Sequence, residues 1–277
     1  MAAISSCLLA FIFLFARTVP TKKHVQLEPG STKDSLNIGA ITIDTILAID
    51  KKDLRLEQVI RLNTLENSIS RGDVKDQQLL VYRQLARFWR DSAGIFEPFA
   101  WYEAQSARLE NSEKSLTFAA HLFLENLQRD DVVESRKWKA LQAKDLFERS
   151  LKIDPTNDSS KVGLGACYLF GNISPTPMEG ISKIREVADR DSTNVFAQVT
   201  LAKGALISGQ YDKAINRLLT VNRLHDGEVE AMLMLADVYE RTGIKSEAVN
   251  WYQKTLPFVK RPDARKEIEA RIKILKK

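Results

Sequence analysis

The spacing of apolar and polar positions predicts a helical chain from residue 41 onward. Apolar side chains return every three or four residues through 56–70, 75–92 and 95–111, which predicts three amphipathic helices. Trp89, Phe96, Phe99, Trp101 and Tyr102 give this stretch its bulk. Leu116-x2-Ala119-Ala120-x2-Phe123 predicts a further helix, and Ala143-x3-Phe147 marks the next, with a charged loop around Arg129 to Arg136 between them. Asp263 to Lys276 reads as a closing helix with Ile268, Ile272 and Leu275 facing inward.

The first sixteen residues follow another pattern. Met1 to Ala16 carry no charged side chain, and Leu8 to Phe15 are apolar throughout. A membrane-spanning helix needs ~20 apolar residues, with ~17 as a working minimum. Residues 1–16 sit at that edge, with Arg17 able to snorkel. No positive charge precedes the run, as a secretory signal requires, so the pattern predicts an uncleaved single-pass anchor, with a signal segment as the alternative. Arg17, Lys22 and Lys23 all follow the run, which predicts a membrane-tethered body on the cytoplasmic side; export to the cell envelope is the alternative. Residues 17–40 read as a flexible linker.

The helical part repeats. Ala214-Ile215-x2-Leu218 returns as Ala248-Val249-x2-Tyr252, thirty-four residues later. Leu201-Ala202-x2-Ala205 returns as Leu235-Ala236-x2-Tyr239 at the same spacing, and Gly209 as Gly243. The unit before shows Leu164-Gly165-x2-Tyr168 and Gly180-Ile181-x2-Ile184, and the one before that ends in Asp154-Pro155-x-Asn157. From Ala143 to Gly165, Gly180 to Ala202 and Ala214 to Ala236 the interval is twenty-two each time. The turn between Tyr168 and Gly180 holds three extra residues, with Pro175 and Pro177.

This register resembles the tetratricopeptide family, of a membrane-anchored bacterial kind, whose pattern is W-x2-L-G-x2-Y, then A-x3-F, then P. The leading Trp is absent, Ala205 replaces a tyrosine, Ser192 and Asp226 stand where proline is usual, and Pro262 comes two residues late. The resemblance implies an all-α, right-handed α-solenoid of helix-turn-helix repeats. Small residues at Gly165, Ala202, Ala236, Ala143, Gly180, Ala214 and Ala248 would let helices approach. Tyr168, Tyr239, Phe147, Leu218 and Tyr252 would fill the space between units. The expected layout is 41–112 N-terminal helices or degenerate repeats, 113–157 repeat 1, 158–194 repeat 2, 195–228 repeat 3, 229–262 repeat 4 and 263–277 a capping helix.

Composition changes this picture little. The net charge of +5 gathers at the two ends, and Asp263, Glu267 and Glu269 interrupt the basic tail as on a solvated helix, so no nucleic-acid partner is expected. The two cysteines, Cys7 and Cys167, make no disulfide framework. His24, His121 and His225 have no metal-ligand companions at suitable spacing. There is no phosphate-cradling loop, no G-x-S-x-G and no H-E-x-x-H. Asp130, Asp131 and Glu134 read as a solvated loop, and His121 as a satisfied core residue. Asn157-Asp158-Ser159 and Asn172-Ile173-Ser174 match the glycosylation sequon. No catalytic, cofactor or metal site and no small-molecule substrate is expected.

In the family the first helix of each unit lines a concave groove. That places Val162, Ala166 and Leu169, then Val199, Lys203 and Leu206, then Leu233, Asp237 and Glu240 on the partner-binding face, with Phe196, Glu230 and Met234 alongside. The groove reads as apolar at one end and acidic at the other, suited to an amphipathic helix or extended segment with a basic portion. The expected function is a non-catalytic scaffold holding a protein partner at a membrane. The alternatives are an envelope assembly factor with exported repeats, and an enzyme with its site in 41–112. Clustered polar residues in an N-terminal pocket would favour the enzyme; an apolar interface onto the repeats would argue against it.

Overall fold

The structure, a computed structural model, describes residues 41–69, 74–174 and 176–277. Among the described residues there are thirteen α-helices and no strand, so the fold is all-α. The chain divides between residues 175 and 176 into two compact units.

The N-terminal unit opens with α1 (Ile43–Asp50), whose first turn is capped by Thr42 accepting the Thr45 N–H. A short 3-10 turn (Lys51–Asp53) leads to α2 (Leu56–Ile69). The third element is α3 (Lys75–Arg87), continued by a π-helical turn (Phe88–Ala93) where one helix to residue 92 was expected. That turn closes with the Ile95 N–H donating to the Trp89 carbonyl at 3.0 Å, and Gly94 reverses the chain at φ 69°. Then come α4 (Phe96–Glu110), α5 (Glu113–Leu127), α6 (Val133–Ile153) and α7 (Asp158–Phe170).

Leu62, Val81, Leu85, Phe88, Trp89, Phe99 and Tyr102 form the core of the first four helices. Aromatic rings carry that core onward. Phe96 meets Phe123 of α5, and Trp138 of α6 lies against both Phe123 and Trp101.

The expected charged loop of 129–136 is shorter, because Asp130 folds it. Its carboxylate accepts the Val132 N–H at 2.9 Å and the Ser135 hydroxyl at 2.5 Å, and its carbonyl accepts from the Arg136 guanidinium. Helix α6 therefore starts at Val133. Asp130 also pairs with Lys139, whose ammonium lies 2.6 Å from it and 2.7 Å from Glu97, with only 3% of the lysine side chain exposed. Three hydroxyls meet where α5, α6 and α7 converge: Thr117, Ser150 and Ser160 lie 2.8–2.9 Å apart, and Thr117 also donates to Glu113.

The C-terminal unit holds α8 (Met178–Arg190), α9 (Val195–Ile207), α10 (Tyr211–Leu224), α11 (Val229–Arg241), α12 (Lys245–Thr255) and α13 (Pro262–Leu275). Its core runs through Leu218, Val221, Leu235, Ala236, Tyr252, Ile268 and Ile272. Pro262 opens α13 at its first turn, where a missing N–H costs nothing, rather than ending α12.

One turn recurs in both units. Asp154 and Asp191 each accept from the threonine two residues on, backbone N–H and hydroxyl alike. Asn157 and Asn194 then cap the following helices, accepting the N–H of Ser160 and Ala197.

The expected single-pass membrane placement is corrected. Among the described residues no helix is long and apolar enough to cross a membrane. The longest, α6, carries charged side chains from Glu134 to Lys152. Residues 1–16, on which the anchor rested, and the linker 17–40 lie outside the described residues.

Candidate partner-binding surface

The repeat register has a consistent structural meaning. Ala143, Gly165, Gly180, Ala202, Ala214, Ala236 and Ala248 are all buried, as are Phe147, Leu218 and Tyr252, while Tyr168 and Tyr239 are half-buried. Gly209 and Gly243 both turn left-handed, at φ 72° and 79°. In each case the next N–H reaches back five residues at 2.8 Å, Gln210 to Ala205 and Ile244 to Tyr239. Identical helix ends thirty-four residues apart, with the same small and large positions buried around them, define one repeated unit. The fold is that of tetratricopeptide repeats. In the N-terminal unit helices pass closely at Gly163, where an added Cβ would come within 2.2 Å of the Phe147 ring, and at Gly171, where it would meet the Ala140 Cβ at the same distance.

The groove residues expected from the sequence part into three groups. Val162, Ala166, Val199, Leu233 and Met234 are buried and belong to the packing of their own units. Leu169, Phe196 and Leu206 are half-buried. The charged members are engaged within the chain. Lys203 on α9 pairs with Glu230 on α11 at 2.7 Å. Asp237 accepts the Tyr252 hydroxyl at 2.5 Å, and Glu240 lies 3.2 Å from the same hydroxyl. Glu240 also takes the Arg271 guanidinium of α13 at two points, with Nε 2.8 Å away and Nη2 on its other oxygen. Burial pushes the Asp237 carboxyl up to about 6, although the Tyr252 hydrogen bond and the Arg241 and Arg271 charges pull the other way.

Sequence reasoning missed Tyr252 and Arg271 as parts of this surface, because they come from α12 and α13 rather than from a first helix. It also missed two exposed apolar side chains. Ile207, 70% exposed, stands one turn beyond Lys203 on α9, and Phe118, 58% exposed, shares a stripe of α5 with Lys114 and Glu125. In both cases a large apolar residue on an otherwise polar stripe was the available signal.

Other candidate chemistry is accounted for locally. His121 is half-buried, contacts the Ser159 hydroxyl at 2.8 Å and the Phe147 ring edge-on, and burial lowers its pKa. Burial pushes the Cys167 thiol up, away from reactivity. Among the described residues no group of three or more His, Cys, Asp or Glu could hold a metal ion. Of the two sequons, Asn157 is committed as a helix cap, with its amide donating to Glu113, while Asn172 is exposed in a left-handed conformation.

No family model matches the chain. The RNA polymerase-associated protein CTR9 of Saccharomyces cerevisiae is 25% identical over 185 residues, 57% of this chain and 17% of that protein. The chain thus spans less than a fifth of this curated relative. Two solved structures are similar at low identity. The crystal structure of MamA protein gives a TM-score of 0.43 at 15% identity, covering 65% of this chain and 91% of MamA. YrrB, a TPR protein with an unusual peptide-binding site, gives 0.42 at 14%, covering 74% and 97%.

Proposed function

We propose that this chain is a non-catalytic scaffold that holds an extended segment or a helix of a partner protein against the outward stripe of a first helix within a unit. The observation that carries the reading is the exposure of Ile207 and Phe118 on helices whose other large apolar residues are buried or half-buried. An apolar side chain left on the ligand-facing stripe of a rigid helix is a candidate anchor point for a partner. The N-terminal helices meet the following pair through the Phe96, Phe123, Trp101 and Trp138 rings, with the Lys139–Glu97 and Arg108–Asp145 pairs beside them.

The test begins with peptides selected from a displayed random library on the full chain, their affinities read by fluorescence anisotropy. Ile207→Asp or Phe118→Asp should weaken selected peptides about tenfold, with the melting temperature unchanged because neither residue is in the core. Full affinity in both variants would overturn the proposal.

A further inference from the structure

We propose that Arg271 is an autoinhibitory contact: it occupies a place on α11 that fits an arginine of the partner segment, an inference that rests on the scaffold reading above. The seat is built from two helices. Glu240 presents its carboxylate edge to the guanidinium, receiving Nε and Nη2 on different oxygens, the two-point geometry that matches a carboxylate to arginine rather than to lysine. Behind it the Tyr252 hydroxyl touches both Asp237 and Glu240 and holds the two carboxylates side by side. Asp237 accepts from that hydroxyl and lies within reach of the Arg241 and Arg271 charges, so the seat brings two carboxylates to the place where the guanidinium is gripped.

Arg271 can leave without undoing the fold. Helix α13 is fastened by Ala264, Ile268, Ile272 and Leu275, all buried and none of them part of the Arg271–Glu240 pair. A further acid of α11 is paired in the same manner, since Glu230 lies 2.7 Å from Lys203 of α9. Glu230 and Glu240 are thus each masked by a basic side chain from a different helix of the unit. A tethered cation competes with a free one, so the apparent affinity for an arginine-bearing segment is lowered by the fraction of time Arg271 is in place.

The experiment selects peptides from one random library on the full-length wild type and on Arg271→Ala in parallel, and sequences both pools. Arg271→Met, which keeps an aliphatic stem over α11, runs alongside so that lost packing does not imitate a lost competitor. The expected result is enrichment of arginine in both variant pools over the wild-type pool. Arginine-bearing peptides should then bind the variants about tenfold tighter than wild type, and this gain should vanish when Glu240→Gln is added. Equal arginine content in all pools, with peptides bound throughout, would overturn the autoinhibitory role and leave the scaffold reading standing. Retention of no peptide by any form would remove the scaffold reading, and this inference with it.

Discussion

Lys139 shows how much a single side chain can organise. Its ammonium is almost wholly removed from water and lies between Glu97 and Asp130, above the Phe96 ring. Removing one member of a buried ion cluster leaves the others uncompensated, at about 3–5 kcal/mol. Lys139→Ala should therefore lose that much in urea unfolding, and adding Glu97→Gln and Asp130→Asn should recover part of it. Burial alone would raise the Asp130 carboxyl; the Lys139 charge and the Lys139, Ser135 and Val132 hydrogen bonds outweigh it and bring it below the ordinary range. Its contribution is complete above the unfolded carboxylate pKa and is lost as the pH falls through the lower folded value.

Asp237 runs the other way. Its folded pKa of about 6 lies above the unfolded 3.8, so stability falls as the pH rises between those values and levels off above. Asp237→Asn should match the wild type near the acid end of that window and exceed it by about 3 kcal/mol at neutral pH. A gap that does not change with pH would refute this. The sequence displayed Asp130 and Asp237 but not their surroundings. Asp131 and Glu134 are exposed as a solvated loop would have them, whereas Asp130 is committed to a lysine nine residues on and, through it, to a glutamate on another helix.

Helices were far more legible than side-chain partners. The closing helix was anticipated with its inward residues, and the small and large repeat positions identified which faces would be buried. Such periodicity survives because each unit meets its neighbours through the same few positions. Where backbone departs from an ordinary helix the pattern is silent, as at the π-helical turn after α3, since apolar spacing does not register one added residue per turn. The family pattern also drew attention to Gly165, whereas a tight approach between α6 and α7 is at Gly163. Gly163→Ala should overpack the α6–α7 contact, costing about 1–3 kcal/mol in a chemical-denaturation series. An unchanged midpoint would mean that the Phe147 ring gives way freely.

Burial is distributed unevenly through the molecule. None of the eight residues of α1 is buried, while Ala231 to Ala236 of α11 all are. Hydrogen exchange read by mass spectrometry should find α1 amides exchanging first and those of α11 last; comparable rates would contradict this. The charges expected to face a partner were not legible in their contacts, because Lys203 and Glu230 pair with each other and Asp237 and Glu240 are met by residues from α12 and α13.

The hydroxyls of Thr117, Ser150 and Ser160 bear on how successive repeats are aligned. Methyl groups at such a meeting point would tolerate sliding, because dispersion changes little over a fraction of an ångström. Hydrogen bonds between oxygens are short-ranged and directional, so these three act as a key cut for one axial setting of α5, α6 and α7. Exchanging all three for apolar groups of similar shape would then cost little free energy while allowing α7 to drift along its neighbours. Small phase errors of that kind accumulate along a chain of repeats, so these hydroxyls govern alignment more than strength.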